Sequence, residues 1–278
     1  MTALVFVSVL FAAGLHASWN AIIKLGNDKI VGMFVMSASQ GLMGFVMIWF
    51  LPLPQPVVWP YLVVSTVFHS AYKAFLTLAY ERGDLSRVYP IARGTAPMLV
   101  ALGGMVLLRD TVSVREYAGI FLVGSGIMMM ARGVFVHGES RHLLPFALAS
   151  ALMTAAYSLT DGAGARVAGG ATVFVAWAFM FDAILFGAWA IARRGRAVAL
   201  QAAHVWRLGA VAGGASLVAY WIVVAAMTQA PIALVSALRE TSVLFAVAYG
   251  ILFFGERGDR AKLMAAALIV SGLILTRI

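Results

Sequence analysis

The sequence predicts an all-α membrane protein, with ten transmembrane helices in two inverted five-helix repeats around a central cavity. Three observations predict it. First, the 278 residues are 63% hydrophobic and only 11% charged, with a mean hydropathy of +0.95, whereas an average soluble domain is about 25% charged. Second, ten stretches reach the roughly 20 mostly apolar residues that a bilayer crossing needs. Third, the chain repeats itself. Arg-Gly-Thr-Ala-Pro-Met-Leu at 93–99 returns as Arg-Glu-Thr-Ser-Val-Leu-Phe at 239–245, and the same offset carries Asp110 onto Glu256 and Ser125-Gly126 onto Ser271-Gly272. A second echo takes Leu10, Ala13, Trp19 and Gly26 onto Leu148, Ala151, Tyr157 and Gly164.

The ten stretches are 3–23, 31–51, 58–80, 88–108, 114–132, 143–163, 171–192, 206–228, 232–254 and 261–277. The first begins without a basic leader or a small-residue cleavage site, so it reads as a retained span and not a signal peptide. Turn formers punctuate the connections: Pro52, Pro54 and Pro56, then Gly195 and Gly258. The longest connection, 133–142, divides residues 1–135 from 136–278, one five-helix repeat from the next. Five is odd, so two such units joined end to end cross the bilayer in opposite senses, which makes the repeat inverted. Gly103-Gly104, Gly124-Ser125-Gly126, Gly162 with Gly164, and Gly213-Gly214 are read as sites of close helix approach. Ser125 and Ser271 are taken as part of that packing, since neither shows an acid-base partner nearby.

Of 20 Lys and Arg, thirteen fall on one side of the expected spans: Lys24, Lys29, Arg82, Arg87, Arg132, Arg141, Arg193, Arg194, Arg196, Arg207, Arg257, Arg260 and Lys262. Arg109, Arg115, Arg166 and Arg277 fall on the other. The positive-inside rule turns the richer side to the cytoplasm and both termini outward. The net charge of +9 is spread over short loops, so it gives no nucleic-acid footprint. Without cysteine there is no disulfide, thiolate metal site or thiol nucleophile. No nucleotide fingerprint or metal-ligand spacing is present either, so no cofactor, metal or catalytic residue is expected.

Lys73, Arg93 and Arg239 remain inside the spans, with Asp182 and Glu240 as the acids counted beside them. A charge at the bilayer centre costs at least about 2.5–3.5 kcal/mol, so such residues face a wet cavity or one another. His69, Tyr72, Lys73 and Tyr80 share one helical stripe, as do His16, Trp19 and Asn20. Thr154, Tyr157 and Ser158 occupy the matching positions of the sixth span. Tyr220 and Trp221 join from the eighth, and Ser236, Arg239, Glu240 and Ser242 from the ninth. Converging, these stripes make an amphipathic small-molecule cavity. The expected substrate contacts are Trp19, Asn20, His69, Tyr72, Lys73, Arg93, Tyr157, Tyr220, Trp221, Arg239, Glu240 and Ser242. Structural roles stand beside these. Arg93 and Arg239 lie within about 9–10 Å of a span end, close enough to snorkel. Glu240 has the charge to neutralise Arg239 or Lys73, Asp182 reads as a packing acid, and the aromatics and histidines also serve as core.

Ten spans in two repeats resemble the drug/metabolite transporter superfamily, in its EamA-type branch. The resemblance is carried by Ala79 to Pro97 leading into Leu107-Leu108-Arg109-Asp110 and Gly119 to Gly126, and by Ala225 to Phe245 leading into Phe253-Phe254-Gly255-Glu256-Arg257. Gly-Glu-Arg matches that family's ending of its fourth helix, and Arg109-Asp110 departs from it. The resemblance implies an inner-membrane secondary transporter, not an enzyme, working by alternating access of inverted repeats. It further implies export of amino acids or similar zwitterions, with cytoplasmic termini, against the charge count. Cationic drugs and anionic or phosphonate metabolites are the alternatives, with a lipid flippase or an intramembrane enzyme behind them. The implied partners are the substrate and the bilayer, with one chain sufficient for a cavity.

Overall fold

A computed structural model describes residues 1–25, 28–82, 85–108, 110–130, 141–254 and 260–277. Gly26, Arg109, Arg132, most of the connection 133–142, Gly255-Glu256-Arg257 and Gly258 lie outside them. The described residues are helical, without a strand. Eleven α-helices follow in order: α1 Ala3–Leu25, α2 Lys29–Ile48, α3 Trp59–Tyr80, α4 Leu85–Leu107, α5 Val114–Met129, α6 Leu144–Val167, α7 Ala171–Arg194, α8 Ala203–Met227, α9 Ile232–Arg239, α10 Ser242–Phe254 and α11 Arg260–Leu275.

Every expected span overlaps helix among the described residues, but two expectations need correction. Only seven stretches among the described residues are long and apolar enough to cross a membrane, from α1, α2, α3, α4, α7, α8 and the run Ile232–Tyr249. Helix α5 has 16 residues and opens on Arg115 and Glu116, giving about 24 Å at 1.5 Å per residue, short of a 30 Å core. Helix α6 has the length, but it buries Ser150, Thr154, Ser158 and Asp161. It reads as polar because it faces protein.

The second correction concerns the ninth span, which is broken into α9 and α10. At the break Glu240, Thr241, Val243 and Leu244 each donate their N–H three residues back instead of four, a local 3₁₀ tightening. The break sets Arg239 at the C-terminal end of α9 and Glu240 before the N-terminal end of α10. Each charge thereby meets the helix-dipole end of opposite sign. In α4, Pro90 and Pro97 lie inside a continuous helix, and each removes one i→i−4 bond.

The first half packs on the second through α2 against α7, α3 against α6, α1 against α8, and α5 against α11, with α4 on α6 and α1 on α9 and α10. Small residues permit the contacts. A Cβ on Gly44 would lie 2.5 Å from the Ala176 carbonyl oxygen of α7, and one on Gly272 would lie 2.7 Å from that of Gly119. Among lipid tails helices gain little from the hydrophobic effect, so this close approach is what holds them. Gly272→Ala is therefore expected to lower stability by about 1–3 kcal/mol, measured by thermal unfolding in detergent. Gly104→Ala, whose nearest neighbour is a Leu108 methyl at 3.8 Å, is expected to leave it unchanged.

Side chains tie the halves at both ends. At one, Arg166 donates from Nη1 and Nη2 to the two Asp110 carboxylate oxygens at 2.7 and 3.1 Å, and to the carbonyls of Met227 and Ala230. Asp110 also accepts the Ile232 N–H at the start of α9. At the other, Glu81 meets Arg193 at 3.0 Å and Arg194 at 3.6 Å. Arg277 donates to the Met1 carbonyl, which brings the two termini together.

Candidate functional site

Between these two ends α1, α2, α3, α4, α6, α7, α8 and α9 enclose a cavity of about 40 Å³. Eight of the expected contacts line it: Trp19, His69, Tyr72, Lys73, Arg93, Tyr157, Tyr220 and Arg239. Four do not. Asn20 donates to the His16 carbonyl one turn back. Trp221 is 39% exposed and donates to Thr172 Oγ1, so it faces out of the bundle. Glu240 and Ser242 are fully buried behind the wall. The wall also holds His16, Met33, Met36, Gln40, Phe179 and Ser216. Met33, Met36 and Gln40 follow i, i+3, i+7 spacing on α2, a stripe the sequence reading passed over.

The charges form three groups. In the first, Arg239 donates from Nε and Nη2 to Glu240 Oε1 at 3.2 and 3.0 Å. Arg93 Nη1 lies 3.6 Å from the same oxygen and Nη2 donates to Tyr72 Oη at 3.0 Å. Glu240 Oε2 has no hydrogen-bond partner. Two guanidiniums thus share one carboxylate, and the group carries one positive charge in excess. Two rings lie beside them: Arg93 stands 5.7 Å from the Tyr72 ring centroid and Arg239 5.9 Å from that of Tyr157.

The second group neutralises itself. Lys73 Nζ contacts Asp182 Oδ2 directly and donates to Ser37 Oγ at 2.7 Å. Ser70 and Ser37 donate to the two Asp182 oxygens. This binds α2, α3 and α7 and fills the Asp182 carboxylate, as expected of a packing acid. The same pairing occupies Lys73.

The third group contains a residue the sequence reading missed. Asp161 lies inside the stretch 143–163, so among the described residues the buried acids number three, Asp161, Asp182 and Glu240, and equal the buried bases Lys73, Arg93 and Arg239. Asp161 is fully buried. Asp161 Oδ2 meets His69 Nε2 at 2.8 Å and accepts the Tyr220 hydroxyl at 2.7 Å, while Oδ1 has no partner. The His69 ring stacks on Tyr157 at 4.0 Å.

Two polar groups on the wall are left for a ligand. Trp19 Nε1 donates to His16 Nδ1 at 3.3 Å. An indole N–H is only a donor, so Nδ1 accepts and a neutral His16 carries its proton on Nε2. That Nε2 has no partner, nor has the buried Gln40 Oε1. The wall thus offers two guanidiniums, one free donor and one free acceptor, with aromatic faces between them. Among the described lining residues none is Asp or Glu.

The EamA-like transporter family matches the chain over residues 143–278. No curated protein matches the chain. Among solved structures, one described only as a crystal structure of a protein aligns with a TM-score of 0.78 and 16% identity. That alignment covers 99% of this chain and 98% of the other, and at such identity it shows the fold alone.

Proposed function

We propose, from the match of residues 143–278 to the EamA-like transporter family, that the whole chain is a drug/metabolite-type secondary carrier for small metabolites with an anionic head group, amino acids first among them. The observation that carries this reading is the wall itself: Arg93 and Arg239 face the cavity, while the three buried acids, Asp161, Asp182 and Glu240, are engaged behind it. A substrate carboxylate fits the shared guanidinium pair, which offers charge and fixed donors together. The ammonium of an amino acid finds its acceptor in Gln40 Oε1, not in the buried Glu240. Phosphonates fit the same cationic pair. A cationic drug would meet no carboxylate on the described wall.

Residues 1–135 and 136–278 act here as inverted repeats. Exchanging them turns α3–α6 into α1–α8, and α4–α6 into α1 against α9 and α10, while α2–α7 and α5–α11 map onto themselves. A cavity of about 40 Å³ is far below the roughly 300 Å³ of small-molecule pockets, so the conformation described leaves too little room at this site for a bound substrate. Opening must release one tie. The Glu81 cluster has side chains 29–48% exposed, and exposed pairs hold little, about 0–1 kcal/mol. The bidentate Asp110–Arg166 pair is more buried and opens second. The Glu81 end, rich in arginine, faces the cytoplasm of a bacterial inner membrane in this reading. One chain suffices, and substrate is exported when its gradient points outward.

The test is counterflow in proteoliposomes of the purified protein, with labelled phenylalanine, glutamate and methylphosphonate. Saturable exchange of at least one of them is expected, falling at least about 100-fold in Arg239→Ala, the loss of a charged hydrogen-bonded contact worth about 3 kcal/mol. The folded Arg239→Ala protein must still run as a monodisperse species. Exchange of a cationic dye alone, insensitive to Arg239, would overturn the reading.

A further inference from the structure

The third charged group has no place in binding the head group, and its geometry points to a second task. We infer that His69 and Asp161 are the proton-carrying site of the carrier, and that the proton moves in the same direction as the anionic substrate. This rests on the anion-carrier reading above and adds to it a coupling ion and a sign.

The pair is built for proton exchange. Asp161 is fully buried on α6 and its Oδ2 receives both His69 and Tyr220, so it fixes the imidazole without touching the cavity. A carboxylate accepts only, so His69 Nε2 carries the donated hydrogen and Nδ1 is the basic nitrogen. His69 itself lies on the cavity wall, where water reaches it once either end opens. Imidazole is the side chain that takes up and releases protons near neutral pH, and Asp, Glu and His chains within membrane spans form the proton relays of pumps and transporters.

Charge arithmetic gives the sign. Arg93 and Arg239 with Glu240 sum to one positive charge, and Lys73 with Asp182 sums to zero. Asp161 beside neutral His69 adds one negative charge, so the whole site is neutral. A proton on Nδ1 makes His69 an imidazolium, cancels Asp161 and leaves the site with a net positive charge. The groups facing His69 transmit this change. Tyr157 of α6 stacks on its ring and also faces Arg239 at 5.9 Å. Tyr220 of α8 and Phe179 of α7 flank it edge-on. Further out stand Lys73 of α3 with Asp182 of α7, Arg93 of α4 and His16 of α1, all but Asp182 on the same wall. The protonated site attracts an anion that the neutral site holds weakly. Proton and substrate therefore bind together from one side and leave together to the other: the proton arrives from water on Nδ1 and returns to water from Nδ1.

The first arm needs no variant. Proteoliposomes showing counterflow of phenylalanine, glutamate or methylphosphonate are given a pH gradient with no other driving force. The probe is expected to accumulate on the alkaline side, by about tenfold per pH unit for one proton per anion. Asp161→Asn is expected to abolish that accumulation while the counterflow signal persists. Counterflow without any response to the gradient, or accumulation on the acid side, overturns the coupling and leaves the carrier reading intact. Absence of counterflow for every probe sinks the carrier reading instead, and the pair is then judged by a substrate-free arm. Histidine-ring ¹⁵N spectra of the purified protein, with His69 assigned by its loss in His69→Gln, are followed between about pH 5 and 8. A His69 titration that changes in Asp161→Asn upholds the proton site. A His69 signal that stays fixed across that range, or one indifferent to Asp161, overturns it.

Discussion

Glu240→Gln is expected to be among the most destabilising single changes in this chain, at about 3–5 kcal/mol, the range for breaking a buried ion pair by removing one partner. The substitution keeps size and one acceptor oxygen, so what it removes is charge. Arg239 loses the carboxylate to which it donates twice, and Arg93 loses the same oxygen at 3.6 Å. Both guanidiniums are about 2% exposed, and neither can relieve the strain by shedding a proton. Thermal unfolding in detergent reads the loss. Two controls give the result its meaning. Arg93→Gln added to Glu240→Gln should recover part of the stability, because one arginine no longer faces another without a carboxylate between them. Formate or acetate should stabilise Glu240→Gln more than the parent protein, since a bound anion replaces the missing charge. A Glu240→Gln protein that unfolds within about 0.5 kcal/mol of the parent would show that the cluster is solvated, contrary to its burial.

How far the sequence foretold this depends on which physical signal each residue sends. Hydropathy set out the helix ends to within about four residues, because a bilayer constrains length as no aqueous core does. It failed in two ways. It saw 232–254 as one apolar run, since nothing in Arg239-Glu240-Thr241-Ser242 alters mean hydropathy enough to announce a break. The signal was in the order of the charges, a base and then an acid, the order that suits the end of one helix and the start of the next. It also credited α5 and α6 with full apolar spans, though Asp161 and the serines of α6 mark it as a helix facing other helices.

The site was legible where residues stand on stripes. His69, Tyr72 and Lys73 at i, i+3 and i+4 do reach one wall, with Trp19 and Tyr157 from equivalent repeat positions. Partnership was not legible. No spacing says that Lys73 meets Asp182 across 109 positions, or that Asp161 lies behind His69 across 92. Trp221 shows the other limit. It is adjacent to Tyr220, and on a helix adjacent residues point about 100° apart, so one faced the cavity and the other left it.

Asp182→Leu with Lys73→Met is the change that separates packing from recognition in this cavity. Alone, Asp182→Leu strands Lys73 beside Ser37 and takes the acceptor from Ser37 and Ser70. A loss near about 3 kcal/mol is expected, at the lower end of the range for a broken buried pair. The lower end applies because a lysine, unlike an arginine, escapes by giving up its proton. In the double variant the charge goes from both sides. Two apolar chains of similar volume then fill the space between α3 and α7, and such replacements are neutral or stabilising by about 1–4 kcal/mol. The freed serines have a local alternative, the carbonyl one turn back, which Ser39, Thr66 and Ser158 already use. Unfolding temperature should therefore return to the parent value or exceed it, and counterflow should survive, because Lys73 is consumed by Asp182 before any substrate arrives. A stable double variant without flux would place Lys73 on the substrate after all. It would raise the positive charge available to the ligand from two groups to three and tilt the carrier toward dianions such as phosphonates.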